Sequence, residues 1–195
     1  MPPTVHPASA VPDEPVGSTV PRRVLPVIVL AQLAGTSSWF AVNAVMGDLQ
    51  REQGYGASDL GTLTSAVQLG FIFGTLLFAL FGVADRFSPR RVFLCCALVS
   101  AVATAAAVPL AGSFAGLWAC RALGGFFLAG IYPVGMRIAA QWYSRGLGAA
   151  LGLLVGALVL GSASAHGLRA MVAEGSWPIV FYGVAALSAL AGMLL

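Results

Sequence analysis

Six long apolar runs constrain this chain more than any other feature of its sequence. Each contains 19 to 29 residues, and an α-helix needs about 20 apolar residues to cross the hydrocarbon core of a bilayer. An ordinary soluble domain is excluded, because only 9% of the residues are charged, whereas about a quarter are charged in such domains. The sequence therefore predicts an all-α polytopic membrane protein with six transmembrane helices. The runs occupy residues 24–47, 60–84, 92–111, 114–142, 146–168 and 177–195.

The residues outside these runs leave no room for a second folded domain. Residues 1–23 hold six of the eleven prolines and lack the apolar core of a signal peptide, so we expect a disordered, proline-rich tail. The predicted organisation is this tail followed by one six-helix transmembrane domain, 24–195. The last run ends without a basic residue to anchor it at the membrane surface, so we also expect a shortened or split gene product.

The arginines predict which helix ends face the cytoplasm. All ten basic residues are Arg, and nine of them lie at or near the ends of the runs. Arg in short loops is retained on the cytoplasmic side, and only Arg51 and Arg169 fall on the opposite side. Both termini are therefore expected in the cytoplasm and the chain in an inner membrane, and the scattered arginines do not predict a nucleic-acid partner. The seven on the cytoplasmic side are Arg22, Arg23, Arg86, Arg90, Arg91, Arg137 and Arg145.

A charged motif fills the loop between the second and third runs. Asp85 stands at a helix end, and Arg86, Arg90 and Arg91 follow within six residues. Such groups can pair with each other and with the ends of neighbouring helices, which would lock one face of a helical bundle. The same residues also suit a plain cytoplasmic loop. The loop alone does not separate these two interpretations.

This loop resembles the signature of the major facilitator superfamily, which reads Gly, three residues, Asp, a basic residue, any residue, Gly and two basic residues. Asp85 and Arg86 match this signature, and Arg90 matches its second basic position and is followed by Arg91. Ser88 replaces the second Gly, Pro89 replaces the first basic residue, and Gly82 lies three residues before the Asp instead of four. Six spans with both ends inside are similar to the amino-terminal half of such a transporter. The resemblance implies secondary transport of a small solute by alternating access, together with a carboxyl-terminal six-helix half or a second copy.

The fourth run contains the one charge that lies well inside a span. Arg121 is about seven residues, or about 10 Å, from the outer end, where a charge is expensive and tends to face a cavity. Gly125 follows four residues later, as in the superfamily, so the resemblance implies a substrate or coupling role. The alternative is an Arg that snorkels to the outer surface. Helical spacing places Gly125, Leu128 and Tyr132 on the same face, and Pro133 predicts a nearby kink.

The sequence shows no acidic partner for Arg121 within the spans. No Asp or Glu lies deep inside any run, so this half offers no obvious buried carboxylate for proton coupling. Three explanations of the unpaired Arg121 stay open: an anionic substrate, an acid from a second half, or Asp48 reaching inward from the outer end.

Two spans carry stripes of polar residues at helical spacing. Such stripes can line a water-filled path or hydrogen-bond to neighbouring helices, and the resemblance favours the path. The first stripe, predicted to lie along one helix, is Gln32, Thr36, Phe40 and Asn43. The second stripe is Gly61, Ser65, Gln68, Ile72 and Thr75. The candidate substrate or coupling residues are Arg121, Tyr132, Gln32, Thr36, Asn43 and Gln68.

Small residues also recur at helical spacing in the second and fifth runs. This spacing lets helix backbones approach closely, so packing is the expected role of both sets. They are Ala66, Gly70 and Gly74 in the second run, and Gly148, Gly152 and Gly156 in the fifth.

An intramembrane enzyme and a non-transporting membrane protein are the competing classes. Ser164 and His166 cannot form a nucleophile and base pair, because residues two apart on a helix point about 200° apart. Ser162 and His166 are neighbours, but no Gly-x-Ser-Gly motif accompanies them, so no enzyme is expected. The three cysteines have the spacing of neither a zinc site nor a disulfide framework, and no metal or cofactor is expected. A non-transporting remnant or assembly subunit stays open as the alternative.

Overall fold

A computed structural model describes residues 21–143 and 145–195, which form α-helices joined by short connections and contain no strand. The tail predicted at 1–23 lies, up to residue 20, outside the described residues. The helices are α1 (Val24–Gly35), α2 (Ala41–Gln53), α3 (Ala57–Leu80), α4 (Val83–Arg86), α5 (Pro89–Ala106), α6 (Phe114–Leu128), α7 (Tyr132–Trp142), α8 (Leu147–Met171) and α9 (Trp177–Leu194).

Five helical stretches are long and apolar enough to cross a membrane. They are α3, α5, the stretch Phe114–Trp142 that contains α6 and α7, α8 and α9. α1 is apolar but has only 12 residues, and it shares the first predicted span with α2. The prediction of an all-helical, polytopic membrane fold is confirmed.

The first span is not one helix. α1 ends at Gly35, residues 36–40 form turns, and α2 begins at Ala41. α2 then continues to Gln53, through the first part of the loop predicted at 48–59. Because the helix is interrupted, the prediction that one stripe runs along a single helix is wrong. That predicted stripe was Gln32, Thr36, Phe40 and Asn43.

Hydroxyl groups at the interruption explain where it falls. Thr36 Oγ1 donates to the carbonyl oxygens of Gln32 at 2.9 Å and of Leu33 at 3.3 Å. Ser37 Oγ donates to the carbonyl oxygen of Ala34 at 2.7 Å. Side-chain hydroxyls that bond to nearby carbonyls offer the backbone an alternative to the regular helix. The Thr-Ser-Ser sequence after Gly35 therefore favours turns at this point.

The fourth span is also interrupted. α6 ends at Leu128, and α7 begins at Tyr132, just before Pro133. Pro133 has no backbone N–H to donate to the carbonyl of Ala129, which is the bond that a continuous helix would need. The interruption lies beside Pro133, where the sequence predicts a kink. The prediction that Gly125, Leu128 and Tyr132 share a face of one helix is wrong, because Tyr132 starts a new helix.

α3 and α6 approach each other backbone to backbone. A Cβ atom added at Gly70 would overlap the carbonyl oxygen of Ala122, and one at Gly74 would overlap the carbonyl oxygen of Phe126. Ala66, one turn before Gly70, is fully buried. Small side chains thus allow this close contact, and the packing role predicted for the second-run set is confirmed.

The glycines predicted to pack in the fifth span do not do so. A Cβ atom at Gly148, Gly152 or Gly156 would meet nothing within 4 Å. Instead, Gly161 packs on α1, where its Cβ would overlap the carbonyl oxygen of Leu33. The predicted glycine stripe is offset by two residues from the buried face of α8, which places it about 200° away around the helix. That buried face consists of Ala150, Leu154, Ala157, Gly161 and Ala165.

Two helices leave much of their surface uncovered within this bundle. In an apolar 18-residue segment of each helix, only 22% of the residues of α3 and of α8 are buried. The corresponding share is 44% in α5 and α9 and 50% in the stretch Phe114–Trp142. The exposed side of α3 carries most of the second polar stripe, and the exposed side of α8 carries the glycine stripe. α3 and α8 therefore form two uncovered faces of the domain.

Candidate functional site

Arg121 projects from α6 into the interior of the bundle and is only 3% exposed. Its Nη2 donates a hydrogen bond of 2.6 Å to the carbonyl oxygen of Trp39. Trp39 lies in the interrupted segment of the first span, where irregular backbone inside a membrane protein needs partners within the protein. The guanidinium therefore holds this interruption in place and does not snorkel to the outer surface. The sequence does not identify Trp39, because a backbone carbonyl leaves no signature in the side-chain pattern.

Arg121 retains unused hydrogen-bonding capacity. Its buried Nε has no hydrogen-bond partner, and no ion pair to Arg121 exists among residues 21–143 and 145–195. Asp48 does not reach inward to it, because Asp48 pairs with Arg169 and Arg51. One of the three explanations of the unpaired Arg121 is thereby excluded.

Gln32 and Thr36 are fully buried where α1 meets α7 and α8. Neither amide atom of Gln32 has a partner among the described residues, and a Cβ at Gly135 of α7 would overlap its Oε1. The Thr36 hydroxyl donates a hydrogen bond to the backbone of α1, and a Cβ at Gly161 of α8 would overlap the hydroxyl oxygen Oγ1 of Thr36. Both side chains are thus enclosed by neighbouring helices in this structure.

The remaining three candidates lie in other environments. Asn43 of α2 is half-buried and donates from Nδ2 to Thr64 Oγ1 of α3 at 3.1 Å. Gln68 is exposed on the uncovered face of α3, and Tyr132 is half-buried at the start of α7. The structure therefore does not enclose the six candidates in one pocket of this half. Thr64 was not among the predicted residues, although it lies in the second span only one residue from the predicted stripe.

The charged motif pairs with a neighbouring helix. Asp85 Oδ1 of α4 lies 2.5 Å from Arg137 Nη1 of α7; the Asp85 side chain is 69% exposed and that of Arg137 is 39% exposed. Arg86, Arg90 and Arg91 are exposed and form no ion pair within the described part of the chain. In the sequence, Arg137 indicates only the orientation of the helices. The second and fourth spans end on the same predicted side, and this signal could have identified Arg137 as a partner of Asp85.

A second charge cluster, which we name the outer cluster, lies at the opposite end of the bundle. Asp48 is 2% exposed and accepts two hydrogen bonds from Arg169, from Nε at 2.7 Å and from Nη2 at 3.0 Å, and one from Arg51 at 2.6 Å. Trp177 Nε1 donates to Glu52 Oε2 at 2.7 Å. The outer cluster therefore joins α2 to α8 and α9. In the sequence, Asp48 and Arg169 fall in separate predicted loops, and nothing there predicts that they pair.

The arginines of the outer cluster keep Asp48 ionised. Asp48 follows Gly47, the last residue of the first predicted span. Burial raises the pKa of its carboxyl. The hydrogen bond and charge of Arg169, a backbone hydrogen bond and the charge of Arg51 lower the pKa, and together they outweigh the effect of burial. The pKa therefore lies below its ordinary value, so Asp48 stays negative at neutral pH.

The two serines near His166 donate to the backbone of their own helix. Ser162 Oγ donates to the carbonyl oxygen of Val159 at 2.9 Å, and Ser164 Oγ donates to that of Gly161 at 2.6 Å. Both hydroxyls bond to the backbone of their own helix, as Ser side chains in helices commonly do.

The family relationship follows from a match over most of the chain. No curated protein matches this sequence. Residues 28–195 match the profile of the Major Facilitator Superfamily, which is well over half of the chain and includes nearly all of the helical domain described above. The chain belongs to the major facilitator superfamily, whose members are multi-pass membrane transporters.

Proposed function

We propose that this chain forms the amino-terminal six-helix half of a secondary transporter in an inner membrane, with both termini in the cytoplasm. It moves a small solute, with anions as the preferred class, by alternating access. The seven-to-two distribution of arginines between the two sides supports the orientation.

Arg121 is the observation that carries the anionic preference. A buried charge is expensive unless it is paired, and this guanidinium has a backbone carbonyl on Nη2 but no partner on Nε. An anion beside the free N–H would offset that cost through a charge-assisted hydrogen bond. A carboxylate from a second half would serve the same purpose, so the solute must be tested directly.

The uncovered faces of α3 and α8 support the proposal that this domain binds a second six-helix unit. Polar groups such as Gln68 and Ser65 are exposed on α3, and polar groups left unsatisfied in hydrocarbon cost several kcal/mol each. A carboxyl-terminal six-helix half, or a second copy around a two-fold axis, would cover them and enclose the path. A non-transporting assembly subunit would also need a partner there, and only a flux measurement separates the two.

Flux through reconstituted protein tests the transport proposal. The purified chain is placed in liposomes, flux of labelled small anions and neutral solutes is followed, and crosslinking reports the oligomeric state. We expect no flux from a monomer and saturable anion flux from a crosslinked pair or from the chain joined to its second half. Saturable, selective flux from a monomer would contradict the need for a partner.

Variants of Arg121 test the anion contact in whichever assembly transports. Arg121→Ala is expected to abolish flux while membrane insertion stays normal. Arg121→Lys should rescue little, because Lys lacks the planar fork that reaches Trp39 and an anion together. The exposed Arg51→Ala is the matched control and should retain flux. Full flux in Arg121→Ala would limit Arg121 to a structural role.

The Asp85–Arg137 pair is proposed to hold the inner face of this half in one arrangement. Asp85→Asn removes the charge with little change of shape, so it should lower the maximal rate more than the apparent affinity. Glu174→Gln, an exposed acid in the loop before α9, is the control. A loss of affinity at an unchanged maximal rate would instead place Asp85 in the solute site.

A further inference from the structure

A cavity of about 170 Å³ opens at the inner end of the bundle, where α1 and α5 begin and α7 and α9 end. Arg23 and Arg90 line it together with Trp142. Val27 and Ile138 form part of its apolar wall. None of these residues belongs to the ion pairs described above, and the cavity lies at the ends of α1 and α7 that are far from their interruptions.

The charged groups around this cavity favour an anion. Arg23 is the residue that precedes α1, and Arg90 is the second residue of α5. Neither arginine forms an ion pair in the described part of the chain. The opposite dipoles of the helices that begin and end here tend to cancel, so the two guanidinium groups supply the net positive charge.

The helix starts add no acidic side chain and few donors of their own. Neither α1 nor α5 has an acidic residue in its first turn. The N–H of Val24 already donates to the carbonyl oxygen of Pro21, and Pro26 and Pro89 have no N–H to offer. The anion site therefore depends on the two guanidinium groups.

The apolar wall distinguishes a lipid from a soluble anion. Val27 and Ile138 line the same cavity as the two arginines, and Trp142 lies at the end of α7. Tryptophan is typical of the membrane–water interface. A phospholipid presents a phosphate to the arginines and an acyl chain to the apolar wall, whereas a soluble anion would leave that wall unused.

We propose that this cavity binds an anionic phospholipid, with the phosphate between Arg23 and Arg90 and the first part of an acyl chain along Val27 and Ile138. Basic pockets between transmembrane helices on the cytoplasmic side are suited to such headgroups. The site uses the orientation proposed above, but it does not depend on the solute or on transport.

Lipid binding to the purified full chain tests this site. Detergent-solubilised protein is titrated with phosphatidylglycerol or phosphatidylcholine, and native mass spectrometry counts the bound lipid. Each arginine near the headgroup is expected to contribute about fivefold in affinity, so Arg23→Ala with Arg90→Ala should weaken phosphatidylglycerol binding by about 30-fold. Arg22→Ala with Arg145→Ala, two exposed arginines on the same side, should weaken it by less than about threefold.

Three results would overturn the proposal. One is an equal loss of phosphatidylglycerol in both double variants, which would indicate general surface charge. Another is equal binding of phosphatidylcholine, and the third is displacement of the lipid by inorganic phosphate, which would indicate a soluble anion. Melting curves in phosphatidylcholine should be the same for both double variants and the unchanged protein, which keeps a folding defect distinguishable from loss of the site.

Discussion

Replacement of Gly70 by Ala tests whether contact between the backbones of α3 and α6 holds this domain together. A Cβ at Gly70 would overlap the carbonyl oxygen of Ala122 and would lie 2.9 Å from both the carbonyl carbon of Ala122 and the backbone nitrogen of Phe126. Ordinary contacts of this kind are at least 3.4 Å. All three atoms belong to backbone, so no side chain can rotate away, and the two helices must separate by about 1 Å to clear the carbonyl oxygen.

The expected cost combines two opposing effects. Overpacking that shifts backbone costs about 1–3 kcal/mol, and the direct overlap with a carbonyl places this site at the upper end. Alanine stabilises a helix interior by about 1 kcal/mol relative to glycine. We therefore expect Gly70→Ala to lower the free energy of unfolding by about 2 kcal/mol.

A second glycine in α3 provides the matched control. Gly61 lies in the same helix, and a Cβ there would meet nothing within 4 Å. Gly61→Ala should therefore raise the free energy of unfolding by up to about 1 kcal/mol. The assay is unfolding by sodium dodecyl sulfate in mixed micelles, followed by circular dichroism of helix content.

The difference between the two variants carries the test. Equal stability of Gly70→Ala and Gly61→Ala would refute the argument that the contact between α3 and α6 requires glycine at position 70. Gly125→Ala, which would press on the carbonyl of Val67 from the other helix, should reproduce the loss seen with Gly70→Ala.

Two further predictions concern the outer cluster and the orientation. Arg169→Ala should lower the free energy of unfolding by about 2–3 kcal/mol, because it leaves the buried Asp48 without its bidentate partner. The Arg51 side chain is half-exposed, so Arg51→Ala should lower it by less than about 1 kcal/mol. Similar losses in the two variants would contradict the assigned geometry. The orientation is tested in a variant without the three native cysteines. There, Ser88→Cys should react with an impermeant thiol reagent from the cytoplasm and Ala173→Cys from the opposite side of the membrane. Labelling of both from one side would overturn the six-span orientation.

Several features with a local physical cause were predictable from the sequence, although the interruption of the first span, which the Thr36 and Ser37 hydroxyls favour, was not predicted. Apolar runs of sufficient length predict helices, because every backbone hydrogen bond in a bilayer must be satisfied within the segment. Pro133 predicts an interruption because it lacks an N–H, and Gly70 and Gly74 predict a close contact because they lack side chains. The burial of Arg121 followed from its position along the fourth span. Each of these conclusions depends on residues within one helix.

Features that depend on neighbouring helices required the tertiary structure. The face of α8 that is covered is decided by α1 and α2, so the pattern of small residues in α8 alone selected the wrong glycines. Asp48 meets Arg169 across 121 positions of the chain, and Arg121 meets the carbonyl of Trp39 only because the first span is interrupted beside it. The spacing of residues along a helix determines which side chains share a face. Only packing determines which face is covered and which distant charge or carbonyl it meets there.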